Sequence, residues 1–121
     1  MREKLQVMNT LIAPGNYDLS VIGIPEKLND KANSRKWKFG IIVNGKIVRE
    51  ITLFLPPWEA KGLIVELGGI LTGNYVEWDD ELVDGKCINC DISHVEYESK
   101  KEVGKIKTKY AISNITATIP F

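Results

Sequence analysis

A chain of 121 residues with 44% hydrophobic and 26% charged side chains is sized for one core, because two would each have to form from about 60 residues, where burial is marginal. Its 10 glycines and 5 prolines are ordinary amounts that exclude collagen and wholesale disorder, and its two cysteines exclude a disulfide scaffold. Sixteen cations balance sixteen anions, so attraction for a charged partner has to come from the distribution of charge and not from its total.

That distribution is uneven. Residues 26–49 hold seven cations against two anions, residues 50–98 two against eleven, and residues 99–121 five against one. The two basic segments are expected to meet as one basic surface with the acidic segment on the far side. No apolar run approaches the roughly 18 residues of a membrane helix, and Met1-Arg2-Glu3-Lys4 is not followed by the apolar run of a signal peptide. A single cytoplasmic domain over 1–121, with no membrane association and with reduced cysteines, is the expectation.

Along the chain, residues 1–13 are read as a mobile head. Pro14-Gly15 punctuates the start of a first strand over residues 16–24, where Tyr17, Leu19 and Val21 alternate with Asp18 and Ser20. Residues 25–34, with Asn29, Asp30 and Asn33, read as a solvated loop. A second strand from Arg35 to Val43 puts Trp37, Phe39, Ile41 and Val43 on one face and Lys36, Lys38 and Gly40 on the other, the first a core face and the second a basic one. Asn44-Gly45 signals a hairpin because both residues tolerate positive φ.

The third strand runs from about Ile47 to Leu55. A plain two-residue loop would set Phe39 opposite Glu50, whereas a shift of one residue sets Phe39 opposite Ile51 and Trp37 opposite Leu53, so a bulge or a longer turn is expected. Pro56-Pro57-Trp58-Glu59 then opens a helix, with Ala60, Leu63, Ile64 and Leu67 as its apolar stripe and Gly68-Gly69 as its stop. Residues 70–81 show no clear period and are read as a turn of helix and a short extended piece around Tyr75-Val76-Glu77-Trp78. A fourth strand from about Lys86 to Tyr97, a polar loop over 98–104 and a fifth strand from about Lys105 to Ile119 complete the chain.

Strand, strand, strand, helix, strand, strand is the order of the OB-fold. That mainly-β, five-stranded Greek-key barrel, with one short helix between its third and fourth strands, binds oligonucleotides or oligosaccharides across strands two and three and the adjoining loops. The basic segments fall on those elements.

Catalytic chemistry is hard to assemble from these residues. No glycine spacing matches a phosphate loop, and His94, the one histidine, reads as a polar strand residue. Cys87-Ile88-Asn89-Cys90 has the spacing of half a zinc site, but strand positions three apart face opposite ways and no second Cys/His pair exists. Asp79-Asp80-Glu81 reads as a solvated acidic loop. No enzyme activity, metal or cofactor is expected.

Bases interleaved with aromatics are the informative pattern, since single strands are held by cations on phosphates and rings on bases. The candidate phosphate contacts are Arg35, Lys36, Lys38, Arg49, Lys105, Lys107 and Lys109, with Phe54 or Trp37 for stacking. Trp58 and Trp78 are expected to pack around the helix.

Pro14-Gly15-Asn16-Tyr17, Trp37-Lys38-Phe39, the Leu63/Leu67-Gly68 helix, Leu82-Val83-Asp84-Gly85-Lys86 and Tyr97 together resemble the OB-fold single-stranded-DNA-binding proteins of phages and mobile elements, including a small family once known only as a domain of unknown function. The resemblance covers about residues 14–119. Asp84 stands where such proteins often have glycine, and the long acidic tail is missing, although Ile119-Pro120-Phe121 is similar to the apolar tip of bacterial tails. The resemblance implies a non-catalytic protein that protects or presents single-stranded DNA, or RNA, in replication or recombination. Replication or recombination proteins and a second copy of the chain are the implied partners. The competing expectation is a protein-interaction or assembly module of a phage or mobile element.

Overall fold

The computed structural model describes residues 11–99 and 102–118. In chain order the elements are β1 (Gly15–Val21), β2 (Glu26–Lys27), β3 (Arg35–Val43), β4 (Lys46–Leu55), α1 (Pro57–Glu66), β5 (Ile70–Thr72), β6 (Tyr75–Glu77), a 3-10 turn at Asp80–Leu82, β7 (Cys87–Glu98) and β8 (Ile106–Thr118). The protein is mainly β. Its five long strands form one antiparallel sheet in the spatial order β4-β3-β1-β7-β8, β2 pairs with the start of β3, and β5 and β6 make a separate hairpin.

Two fold expectations need correcting. Among the described residues no ladder joins β4 to β8, so the sheet is not closed into a barrel. Residues 70–77, which lack a period because only three residues pair on each strand, form the β5–β6 hairpin after the helix. The N-terminal expectation also changes where residues are described. Ile12 is buried, its backbone N–H donates to Tyr110 Oη at 2.7 Å, and its carbonyl lies 2.6 Å from His94 Nε2. A carbonyl oxygen only accepts, so the His94 ring proton sits on Nε2, and this histidine anchors the segment preceding β1. Residues 1–10 and 119–121, including the apolar tip, lie outside the described residues.

Alternation decides which side of the sheet is core. Leu19 and Val21 on β1, Trp37, Phe39 and Ile41 on β3, Ile51, Leu53 and Leu55 on β4, and Ile88, Cys90 and Ile92 on β7 are all buried. Helix α1 covers this side with Ala60, Leu63 and Ile64, and Leu67 follows them into the core. The helix ends as its glycines require: Gly68 has φ +106°, Gly68 N–H bonds Val65 O and Gly69 N–H bonds Ile64 O, which is the paired closure of a Schellman motif. A Cβ on Gly69 would lie 2.6 Å from Ile64 Cγ2 and 2.9 Å from Ile64 O, so no larger residue fits there without a backbone shift.

The β3–β4 hairpin has the shifted register. Asn44 and Gly45 both take positive φ, 52° and 75°, the tight turn between Val43 and Lys46. The ladder then slips at Ile41/Ile42, where Ile41 opposes Arg49 and Ile42 opposes Ile47, leaving Val48 as the extra residue. Phe39 therefore faces Ile51 and Trp37 faces Leu53. A second slip on β8, between the Asn89–Thr116 and Asp91–Ser113 pairs, places Asn114 at φ 52°. It lets Ile112 and Ile115, three residues apart, both pack on the core, which an unbroken strand would forbid. No helix among the described residues is long and apolar enough to cross a membrane.

Candidate nucleic-acid interface

The outer face of the β3–β4 hairpin gathers three of the nine sequence candidates. Lys36 stands opposite Phe54 and Lys38 opposite Thr52, and all four share the phase opposite to buried Trp37, Phe39, Ile51 and Leu53. Phe54 is 55% exposed. An exposed ring opposite Lys36 and diagonal to Lys38, on the edge ladder of the sheet, offers both a π-face and counter-charge.

The remaining candidates go elsewhere. Trp37 is 0% exposed, its ring stacked on Phe39 at 6.0 Å and on Trp78 at 5.4 Å, so it is a core residue and presents no stacking surface. Arg35 shares the inward phase of Trp37. Its Nη1 donates to Asp80 Oδ2 at 2.7 Å and its guanidinium lies 5.0 Å from the Trp78 ring centroid, which removes it from the Lys36–Lys38 face. Arg49, opposite Ile41, keeps the phase of Ile51 and also lies off that face. Lys105 precedes β8 and pairs with Glu102 at 2.9 Å, a local i,i+3 contact.

Lys107 and Lys109 do face outward, opposite Tyr97 and Val95, and the Lys109 ammonium is 5.8 Å from the Tyr97 ring. They form a second patch, separate from the first. Gly40 is level with Ser20 and Cys87 across the sheet, and Val95 lies eight residues further along β7 in the direction away from Lys38, roughly 26 Å at strand rise. Between the patches the outer face carries a polar network: Asn16 Nδ2 donates to Asn89 Oδ1 and Asp91 Oδ1, Asn89 Nδ2 to Asp18 Oδ1, and Asn114 Nδ2 to Asp91 Oδ2, all at 2.7–2.9 Å. The bonds from Asn114 and Asn16 hold the Asp91 carboxyl below its ordinary range, so this strip stays anionic. The single basic surface expected from segment charges is divided in two.

Cys87 and Cys90 are both free and buried. The β7 phase is unbroken, because the bulge residue sits on β8, and the two thiols therefore lie on opposite sides of the strand. Burial, with the neighbouring Asp91 charge adding to it, pushes the Cys90 thiol up to about 11. Such a thiol is a poor nucleophile at neutral pH.

One concavity was not anticipated. A cleft of about 700 Å³ opens between the N-terminal half of α1, the β5–β6 hairpin and the start of β3. Trp58 and Tyr75 stand in its lining at 64% and 78% exposure, which overturns the expectation that Trp58 packs around the helix. Trp78, half-buried on Trp37, forms part of the same wall. A signal for Trp58 was present: at two residues before Ala60 it lies about 200° around the helix from the buried stripe. Tyr75 had none, since its exposure depends on the two-residue tip Gly73-Asn74 of a hairpin with no periodicity of its own. No family model, curated protein or solved structure matches the chain, so the candidate surfaces rest on their own geometry.

Proposed function

We propose that this protein binds single-stranded DNA without catalysis, through an OB-type sheet whose outer β3–β4 face is the strand-binding surface. The observation that carries the proposal is the cross-strand neighbourhood of Lys36, Lys38 and exposed Phe54. Cations there meet phosphates, and the ring stacks on an unpaired base, an interaction worth about 1–3 kcal/mol per base. The spatial order β4-β3-β1-β7-β8, with the helix in the connection from β4 to β7, supports the OB-type assignment; a closed barrel would add a β4–β8 ladder. Protection or presentation of DNA in replication or recombination is the role such binding serves.

Fluorescence anisotropy of a labelled single strand, with duplex and RNA of the same sequence as competitors, tests the proposal. Binding should weaken as salt rises, because each neutralised phosphate releases counterion, and duplex should compete poorly because its bases are already stacked. Lys36→Glu/Lys38→Glu should abolish binding at moderate salt. Unchanged affinity in that variant would refute the assignment of this face.

A protein-docking role for the same hairpin is favoured by one observation: Val43, Ile47 and Val48 stand 50–62% exposed near its turn and bulge. Docking through these residues would survive the double lysine substitution and fail in Ile47→Asp/Val48→Asp.

A further inference from the structure

The cleft faces away from Lys36 and Lys38, because Arg35 and Lys36 are neighbours on β3 and alternate to opposite sides of it. Its lining includes Lys27, Arg35 and Lys61 and not one carboxylate, in a chain whose cations and anions are equal in number. The acidic segment 50–98 supplies most of the lining yet contributes only Lys61 as a charged group. Asp80, outside the lining, pairs with Arg35 at 2.7 Å, so the excess positive charge of the cleft rests on Lys27 and Lys61. The local field therefore favours an anion.

The apolar part of the lining is aromatic. Phe39, Trp37 and Trp78 stack in succession from the core toward the cleft, with Arg35 over the last ring, and Trp58 and Tyr75 present exposed rings beside them. Trp37, one of the lining residues, has its Nε1–H buried with no acceptor among the described residues, where such groups are normally satisfied. A purely apolar occupant would leave Lys27 and Lys61 without counter-charge, and an acidic peptide would leave the rings without planar partners. An unpaired nucleotide supplies both anion and plane.

We propose that this cleft is a second subsite for single-stranded nucleic acid, in which a base stacks on Trp58 and Tyr75 while Lys27 and Lys61 meet its flanking phosphates. The proposal deepens the single-strand binding inferred above and rests on it, but it uses none of the same residues. A strand engaging both sites passes around the start of β3, where Arg35 and Lys36 meet.

Intrinsic fluorescence and anisotropy, titrated with a labelled oligothymidylate, test it on the full chain. Trp58 is the most exposed of the three tryptophans, so its emission should be quenched on binding, and Trp58→Ala/Tyr75→Ala should weaken affinity by about tenfold or more. Both rings are largely solvent-facing, and an unchanged thermal melt would certify the fold of that variant. Lys61→Glu should weaken binding and lower the salt slope by about one. Wild-type affinity in Trp58→Ala/Tyr75→Ala, with binding lost in Lys36→Glu/Lys38→Glu, would overturn the cleft and leave the outer face standing. Loss in the ring variant with retention in the lysine variant would establish the cleft and overturn the outer face. Quenching by oligoglutamate but not by oligothymidylate, or no oligonucleotide binding at all, would overturn the cleft subsite.

Discussion

On one side of β3, Trp37 and Phe39 lie wholly inside the protein; on the other, one residue away in each case, Lys36 is half-buried and Lys38 exposed, on the same face as Phe54. The same nine residues thus serve packing inward and recognition outward. Burial needs partners from distant segments, such as Leu53 on β4 and Trp78 before the 3-10 turn, whereas exposure needs only strand alternation. Stability and binding should be separable along this strand, and β7 repeats the contrast, with Cys90 inward and Asp91 outward.

The inward side should show the largest effect. Trp37→Ala removes the middle of the Phe39–Trp37–Trp78 stack and should cost about 3–5 kcal/mol in denaturant unfolding; a loss below 1 kcal/mol would show that the stack contributes little. Next comes Cys90. Its folded thiol is raised to about 11 from an ordinary value of 9.0, so the protonated form is the one the fold favours. That stability is complete below pH 9 and declines as pH rises toward 11, by roughly 2–3 kcal/mol at 1.36 kcal/mol per unit. Cys90→Ala should flatten the alkaline slope of unfolding free energy against pH.

Smaller effects are expected toward solvent. Asp80→Asn frees Arg35 from its ion pair, and with both side chains about a third exposed the cost should be at most about 1 kcal/mol by thermal melting. Asp91 should give the opposite sign to Cys90: its carboxyl is lowered by Asn114 and Asn16, so its contribution is present above the ordinary carboxylate range and is lost as pH falls through the folded value. Asn114→Ala should shift the Asp91 titration upward, as read by NMR. Lys36→Glu/Lys38→Glu should change stability least, within about 0.5 kcal/mol. A large destabilisation there would mean that the two sides of β3 are not independent.

Much of this was legible from local pattern. The boundaries of β3, the positive-φ turn at Asn44-Gly45, the one-residue slip that pairs Phe39 with Ile51, and the helix stop at Gly68-Gly69 all follow from alternation or from glycine's conformational freedom, properties a few neighbouring residues carry among themselves. The outward placement of Lys36, Lys38 and Phe54 follows in the same way. By contrast, the bulge at Asn114 leaves no such mark, because an extra residue on one strand is defined only by its partner strand.

Period-two alternation says which residues share a side of a strand and nothing about how far apart two strands' charges end up, so Lys107 and Lys109 looked like companions of Lys36 and Lys38. It was ladder order that set the anionic Asn16–Asn89–Asp91 strip between them. Arg35 was taken as a phosphate contact by its charge although its position put it in phase with Trp37, and the contact that holds it, Asp80, is 45 residues away. The cleft is the fullest case of this division: Lys27, Lys61, Trp58 and Tyr75 come from three separate segments and converge only when α1 and the β5–β6 hairpin dock against β3. Chain pattern settles the phase of each strand and the ends of the helix, because those depend on backbone geometry over a few residues; which distant side chains become neighbours is settled by packing.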